Sequence, residues 1–169
     1  DQAVPGCEAL TGSLGHGLGI GAGFSYAAKR DGRNYKSYVI ISDGECYEGS
    51  TTESARLAAH LGLNNLIVIL NRNNLCILGN TEDCVRLEPL KEEWEAYGWK
   101  AYQVDGHSFK EIFDVFEKIK ERKDNKPSII IAKTIKGKGV SFMENNYIWH
   151  NKMPSEQELA LARKELENS

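Results

Sequence analysis

An aspartate and an asparagine thirty positions apart, Asp43 and Asn73, each follow a run of apolar residues. "YVII" leads into "SDGECYEGS", and "NLIVIL" leads into "NRNNL". One carboxylate and one amide oxygen, if brought together, suit Mg²⁺, which takes about six oxygen ligands and uses only one or two carboxylates, leaving the rest to phosphates and water. A single charged ligand is a balanced choice if the bound molecule is itself anionic, as a diphosphate is. Gly44 leaves room for a phosphate to approach, and a helix starting just beyond it adds a favourable dipole. Asp-Gly and Asn-Asn are also ordinary turn formers. Taken singly, the two sites leave both readings open.

The elements around them decide whether the two side chains can meet. "YKSYVIIS" (35–42) and "NNLIVILNRN" (64–73) are short, β-branched and bounded by polar residues, as buried strands are. A helix from Glu48 to Leu61, stopped by Gly62, lies between them. "CILGNTEDCVR" reads as a loop, and "LEPLKEEWEAYGW" carries a helix ending at Gly98. "KAYQVDGHS" gives a third strand. Ser108 caps a helix whose apolar positions Phe109, Ile112, Phe113, Phe116 and Ile119 keep helical spacing. "KPSIIIAKTIKGKG" is a fourth strand. "PSEQELALARKEL" is a final helix with Ser155 as its cap and Glu158 three residues on. Continuous apolar strands alternating with helices predict an α/β fold, a parallel sheet flanked by helices on both faces. Ligands on such sheets sit at the carboxyl ends of the strands. "SDGE", "NRN" and "DGH" therefore share one rim.

Before the first strand stands "TGSLGHGLGIGAG", with six glycines in residues 12 to 23. A helix is predicted from Ser13 to Lys29. The five glycines from Gly15 to Gly23 forgo about 4–5 kcal/mol of helix preference. Gly15, Gly19 and Gly23 line one face, and Gly17 and Gly21 a second, so tight packing is expected to offset the loss. Gly17 to Ala22 also fits the dinucleotide pattern G-x-G-x-x-A, with Asp43 as the ribose acid, but that pattern needs a strand immediately before it. An NAD-binding dehydrogenase domain is the reading it would support.

The 169 residues are 41% hydrophobic and 27% charged, with a net charge of −3. That balance draws the chain to neither nucleic acid nor an acidic membrane face. No stretch approaches the roughly 20 apolar residues that span a bilayer. A cytoplasmic location is expected. The opening "DQAVPGCEAL" has no Met, no basic segment and no apolar core; it reads as an internal loop, so upstream residues are expected to be missing. Cys7, Cys46, Cys76 and Cys84 form no C-x-x-C pair. They read as free thiols rather than as a zinc site or a disulfide framework.

The combination "SDGECYEGSTTESARLAAHLGLNNLIVILNRNNL" resembles the thiamine diphosphate signature, G-D-G followed by N-N, in its transketolase form. "PGCEALTGSLGHGLGIGAG" is similar to the transketolase segment P-G-x-E-x-x-T-G-x-L-G-Q-G, and "TIKGKGVSFMENNYIWHNKMP" to its segment ending in W-H. The resemblance runs in order along essentially the whole chain. It implies the thiamin diphosphate-binding fold, with residues 1–169 as a single diphosphate-binding domain, or the N-terminal subunit where the enzyme is split. It implies thiamine diphosphate and Mg²⁺, or Ca²⁺ or Mn²⁺ in its place. Asp43 and Asn73 match the metal's side-chain ligands, and Leu75 a backbone carbonyl ligand. Gly44 matches a diphosphate contact. Gly12, Ser13 and Leu14 match the stretch beside the cofactor, with Ser13 where the family commonly has Pro. His150 matches a histidine near diphosphate and substrate. Glu48 matches a buried glutamate that links cofactors across an interface. Ser42 replaces the first Gly of G-D-G, and His16 replaces the usual Gln.

The implied activity is ketol transfer between sugar phosphates. It requires a partner subunit carrying the pyrimidine-binding domain, two copies of each chain being expected. The same metal motif serves deoxyxylulose phosphate synthases and oxo-acid dehydrogenase components, and split relatives acting on unusual or sulfonated sugars are a further alternative. A non-catalytic docking subunit is a third class. Among the other candidates, His60 suits the C-terminal end of a helix, His107 is a helix-entry residue, and Lys133, Lys136 and Lys138 read as solvated.

Overall fold

The computed structural model describes residues 4–167; the expectation for the first three residues lies outside them. Helix α1 (His16–Arg30) leads into strand β1 (Ser37–Ser42), a 3₁₀ turn (Asp43–Tyr47), helix α2 (Gly49–His60) and strand β2 (Leu66–Arg72). A small hairpin, β3 (Leu75–Cys76) and β4 (Gly79–Asn80), and a one-turn helix α3 (Thr81–Cys84) follow. The chain continues with α4 (Leu90–Ala96), β5 (Lys100–Asp105), α5 (Phe109–Lys120) and β6 (Ser128–Lys133). A second 3₁₀ turn (Tyr147–His150) and α6 (Glu156–Glu167) end it.

The four main strands form one parallel sheet in the order β1-β2-β6-β5, as the sequence predicts for its parallel character. Strand β6, last in sequence, lies between β2 and β5, and five of its six residues are buried. Strand parity then sorts side chains to two faces. Val39 and Ile41 of β1, Leu66, Val68 and Leu70 of β2, and Ile129 and Ile131 of β6 pack with Leu18, Ala22, Ala55, Ala58, Trp94 and Trp99 into the larger core. Trp99 donates its ring N–H to the Ala55 carbonyl at 2.8 Å, so its polar edge is satisfied where its rings are buried. On the opposite face Ile67, Ile130, Val104 and Ala132 meet Val115 and Ile119 of α5. That second layer is partial among the described residues: Ile40 of β1 is 75% exposed.

Several boundaries differ from the sequence reading. Helix α1 starts at His16 and not at Ser13, because Gly15 takes a left-handed conformation (φ 77°) that ends the preceding loop. Four glycines, not five, are therefore helical. Both stripes find a neighbour: Gly17 and Gly21 face Val39 of β1, and Gly15 and Gly19 face Ser50 and Ser54 of α2. A Cβ on Gly21 would stand 2.2 Å from Val39 Cγ2, whereas one on Gly23 would meet nothing within 4 Å. No strand precedes α1 in residues 4–15, which removes the context the dinucleotide pattern needs. In α5 the core-facing residues are Ile112, Val115, Phe116 and Ile119, while Phe109 and Phe113 are exposed. Ser108 caps α5 by accepting from the Glu111 N–H. Ser155 and Glu158 make a reciprocal capping box on α6, at 3.2 and 2.7 Å.

Candidate functional site

Parallel pairing of β1 with β2 aligns Ile41 with Leu70 and Ser42 with Asn71. The next pair along, Asp43 and Arg72, continues the same inward-facing parity. Both are buried: Asp43 is fully enclosed and Arg72 is 2% exposed. Asp43 Oδ2 accepts the backbone N–H of Asn73 at 3.0 Å. Its Oδ1 lies 3.4 Å from the Arg72 guanidinium and has no hydrogen-bond partner among the described residues. Burial pushes the Asp43 carboxyl up from its ordinary value, while the Arg72 charge and the N–H groups of Asn74 and Asn73 pull the other way.

Asn73 begins a tight turn. Its Oδ1 accepts the Leu75 N–H at 2.9 Å, and Asn74 takes a left-handed conformation (φ 63°), which asparagine tolerates. The chain is thereby folded back beside Asp43. An amide oxygen has two acceptor positions, so the Asn73 side chain keeps one free after this bond. Leu75 opens the small hairpin, and Thr81 returns to the turn by donating to the Asn74 carbonyl at 3.0 Å.

Arg72 organises what surrounds these oxygens, a role the sequence reading did not assign to it. It donates to Thr81 Oγ1 at 2.8 Å, to Glu82 Oε1 at 2.9 Å and to Glu88 Oε1 at 3.1 and 3.2 Å. Burial opposes its charge, but Asp43 and the two glutamates outweigh that and hold its pKa above the ordinary value. One guanidinium faces three carboxylates, so the cluster carries an excess of negative charge. Tyr47, from the same turn as Asp43, shares its one O–H between the carbonyls of Thr81 and Val85, at 3.2 and 2.8 Å. The Asp43 turn and the α3 segment are thus tied together. The signal for Arg72 was available: it shares strand parity with Leu66, Val68 and Leu70, all core residues.

The other candidates fall into groups. A Cβ on Gly44 would find only Ser42 Oγ, at 3.8 Å, so the backbone there is open to an approaching group. Ser42 donates its backbone N–H to Glu45 Oε2 at 3.0 Å, closing the turn that follows. Gly12, Ser13 and Leu14 are exposed, their bend held by the Thr11 hydroxyl and the Ser13 backbone at 3.0 and 3.1 Å. This segment meets the start of α2: Ser50 Oγ donates to the Gly15 carbonyl at 3.0 Å, and a Cβ on Gly15 would stand 2.7 Å from Glu48 Cβ. Glu48 is half-buried there, at the N-cap of α2. His150 is exposed on its 3₁₀ turn and makes no hydrogen bond or ion pair with Asp43, Asn73 or Glu48 among the described residues. Trp149 beside it is fixed locally, donating to the Phe142 carbonyl at 3.0 Å. His107 Nε2 accepts the Ile135 N–H at 2.8 Å and so links the rim after β5 to the loop after β6.

These residues present a carboxylate oxygen without a hydrogen bond, a free amide acceptor position, and open backbone at Gly44. That donor set suits a hard cation held by oxygen. A divalent ion would also offset the excess negative charge around Arg72 and make the ionised, buried Asp43 less costly.

Comparison with known proteins matches this architecture. Residues 1–168 match the family model described as transketolase, thiamine diphosphate binding domain. The chain belongs to that family. It is 41% identical over 163 residues to an apulose-4-phosphate transketolase subunit of Phocaeicola vulgatus, covering 96% of this chain and 58% of that protein. It is 40% identical over 162 residues to the 6-deoxy-6-sulfo-D-fructose transketolase subunit SqwG of a Clostridium species, with 96% and 58% covered. The transketolase of Campylobacter jejuni superposes with a TM-score of 0.86 at 31% identity, over 93% of this chain and 26% of that one. The chain thus spans somewhat more than half the length of the curated subunits it matches. No helix among the described residues is long and apolar enough to cross a membrane.

Proposed function

We propose that this chain anchors the diphosphate end of thiamine diphosphate in a transketolase-type transferase, through a Mg²⁺ ion held by Asp43, Asn73 and the backbone carbonyl of Leu75. The observation that carries this reading is the buried Asp43 Oδ1, which has no hydrogen-bond partner and stands beside Asn73 at the ends of two adjacent strands. Thiamine diphosphate, when bound, would supply the nucleophilic and charge-delocalising chemistry of ketol transfer. The chain's own part is binding and orientation. Asp43 and Asn73 give the cation one charged and one neutral ligand. Gly44 would let a phosphate approach the backbone, and the exposed Gly12–Leu14 bend would run beside the cofactor. His150 would contact the diphosphate and the substrate, and Glu48 would link the site to a second cofactor across a subunit interface.

The complete enzyme requires a partner subunit with a pyrimidine-binding domain, assembled as two of each chain, acting on sugar phosphates in the cytoplasm. Unusual or sulfonated sugars are a second reading of the substrate. Its support is that two similar subunits carry the names of apulose 4-phosphate and 6-deoxy-6-sulfo-D-fructose.

The test is calorimetric binding of thiamine diphosphate with Mg²⁺ to the chain and its partner subunit, for the parent and for Asp43→Asn. The substituted amide can still accept the Asn73 N–H, so the turn is retained. Affinity should fall at least about 100-fold, equivalent to about 2.8 kcal/mol. Equal affinity in a variant with unchanged circular dichroism would remove the basis for the assignment.

A further inference from the structure

Two of the four cysteines, eight residues apart and on different elements, meet in the folded chain. Cys76 ends strand β3 and Cys84 ends helix α3, and their sulfurs are 3.7 Å apart. Cys76 is half-buried and Cys84 exposed. The segment between them is a clip. Cys76 pairs with Gly79 across the hairpin, and Ile77 and Leu78 at its tip are exposed. The far end is fixed, because Arg72 holds Thr81 and Glu82 while Tyr47 holds the carbonyls of Thr81 and Val85. The near end is fixed by the Asn73 turn. Both thiols are therefore delivered to one place by independent anchors. The other cysteines are placed differently. Cys46 donates to the Ser42 carbonyl, and burial, with Asp43 and Glu93 nearby, pushes its pKa up to about 12. Cys7 lies in the N-terminal segment, against the Ala9 carbonyl.

We propose that Cys76 and Cys84 are an oxidisable dithiol that closes to an intramolecular disulfide and locks the β3–α3 clip. A disulfide has an S–S length of about 2.05 Å, so the sulfurs need to approach by about 1.7 Å, a movement within reach of side-chain rotation at the exposed Cys84. The oxidant is a hydroperoxide. The Cys84 thiolate takes the terminal oxygen, releasing an alcohol and becoming a sulfenic acid. The Cys76 thiolate then attacks that sulfur and the hydroxyl leaves as water. Two thiols and one hydroperoxide give one disulfide, one alcohol and one water. A reducing dithiol reverses the step by exchange. The bond joins the segment that starts beside Leu75 to the helix that supplies Glu82 to Arg72. The assignment stands independently of the cofactor reading, because it concerns only the state of the two sulfurs.

The experiment treats the chain, assembled with its partner subunit, with hydrogen peroxide, for which water takes the place of the alcohol as product. Residues 73–86, "NNLCILGNTEDCVR", contain no internal lysine or arginine, so trypsin releases both cysteines in one peptide. After oxidation this peptide should be two hydrogens lighter and resist alkylation until reduced. Amide exchange across residues 76–85 should slow at least tenfold, and Cys84→Ser and Cys76→Ser chains should show neither change. Recovery of the peptide with both cysteines still open to alkylation overturns the proposal. So does oxidation of Cys84 alone to a sulfinic acid, or its linkage between two chains.

Discussion

Arg72 occupies a position where strand parity would otherwise place an aliphatic core residue, and its charge is tolerated because three carboxylates and a hydroxyl meet it. Removing one partner of a buried ionic cluster costs about 3–5 kcal/mol, since the remaining charge is stranded. Arg72→Met should therefore destabilise the chain by that amount in urea unfolding. Asp43→Asn in the same background should recover part of the loss, because the stranded carboxylate is then gone. A strictly additive double variant would show that the two side chains do not depend on each other. The candidate metal residues were legible because turn chemistry at the end of a strand leaves a pattern of residue types. The counter-charge beneath them was less so: the strand read over 64–73 gives Arg72 the parity of Leu66, Val68 and Leu70 but does not say what meets its charge. Its partners Glu82 and Glu88 lie beyond a hairpin that no periodicity announces.

At the scale of elements, the glycine run shows where pattern reading stops. Spacing revealed two smooth stripes on α1 but not which of them touches β1. Gly21 and Gly23 separate the two effects that glycine has in a helix. Alanine at Gly23 meets nothing within 4 Å, so Gly23→Ala should stabilise the chain by up to about 1 kcal/mol through helix preference alone. Alanine at Gly21 would stand 2.2 Å from Val39, a stiff β-branched core side chain. Overpacking of that kind costs about 1–3 kcal/mol, which outweighs the preference gained. Gly21→Ala should be destabilising by up to about 2 kcal/mol. Chemical denaturation of both variants checks the sign; matching signs would refute the packing assignment. The exposed Phe109 and Phe113 make the same point for α5. Periodicity defined a stripe, but the centre of the buried stripe lies one residue row away, through Val115 and Ile119.

For the whole molecule, what matters is that one rim of a parallel sheet gathers turns from distant parts of the chain. That arrangement was readable from the alternation of apolar strands with helices. The strand order was not, because nothing local in "SIIIAK" states which neighbours it pairs with. If the rim binds thiamine diphosphate through a cation, ligand and metal should act together on stability. At a hundredfold excess over the dissociation constant, binding adds about 2.7 kcal/mol. For a chain of this length that raises the thermal midpoint by about 5–10 °C. The assembled protein, being larger, should show a smaller shift of the same sign with Mg²⁺ present and lose it in EDTA. A shift of the same size without metal would mean that the diphosphate is held by other groups.

The placement of β6 also bears on biosynthesis. Strands β2 and β5 have no bond to each other; the one segment that joins them is made after both. A nascent chain therefore carries the β1–β2 pair and the lone strand β5 unjoined until Ser128–Lys133 has emerged from the ribosome, with the apolar flanks of β2 and β5 bare in the meantime. The long-range pairings that complete the domain come late, and that interval is when chaperone capture and mis-association compete with folding.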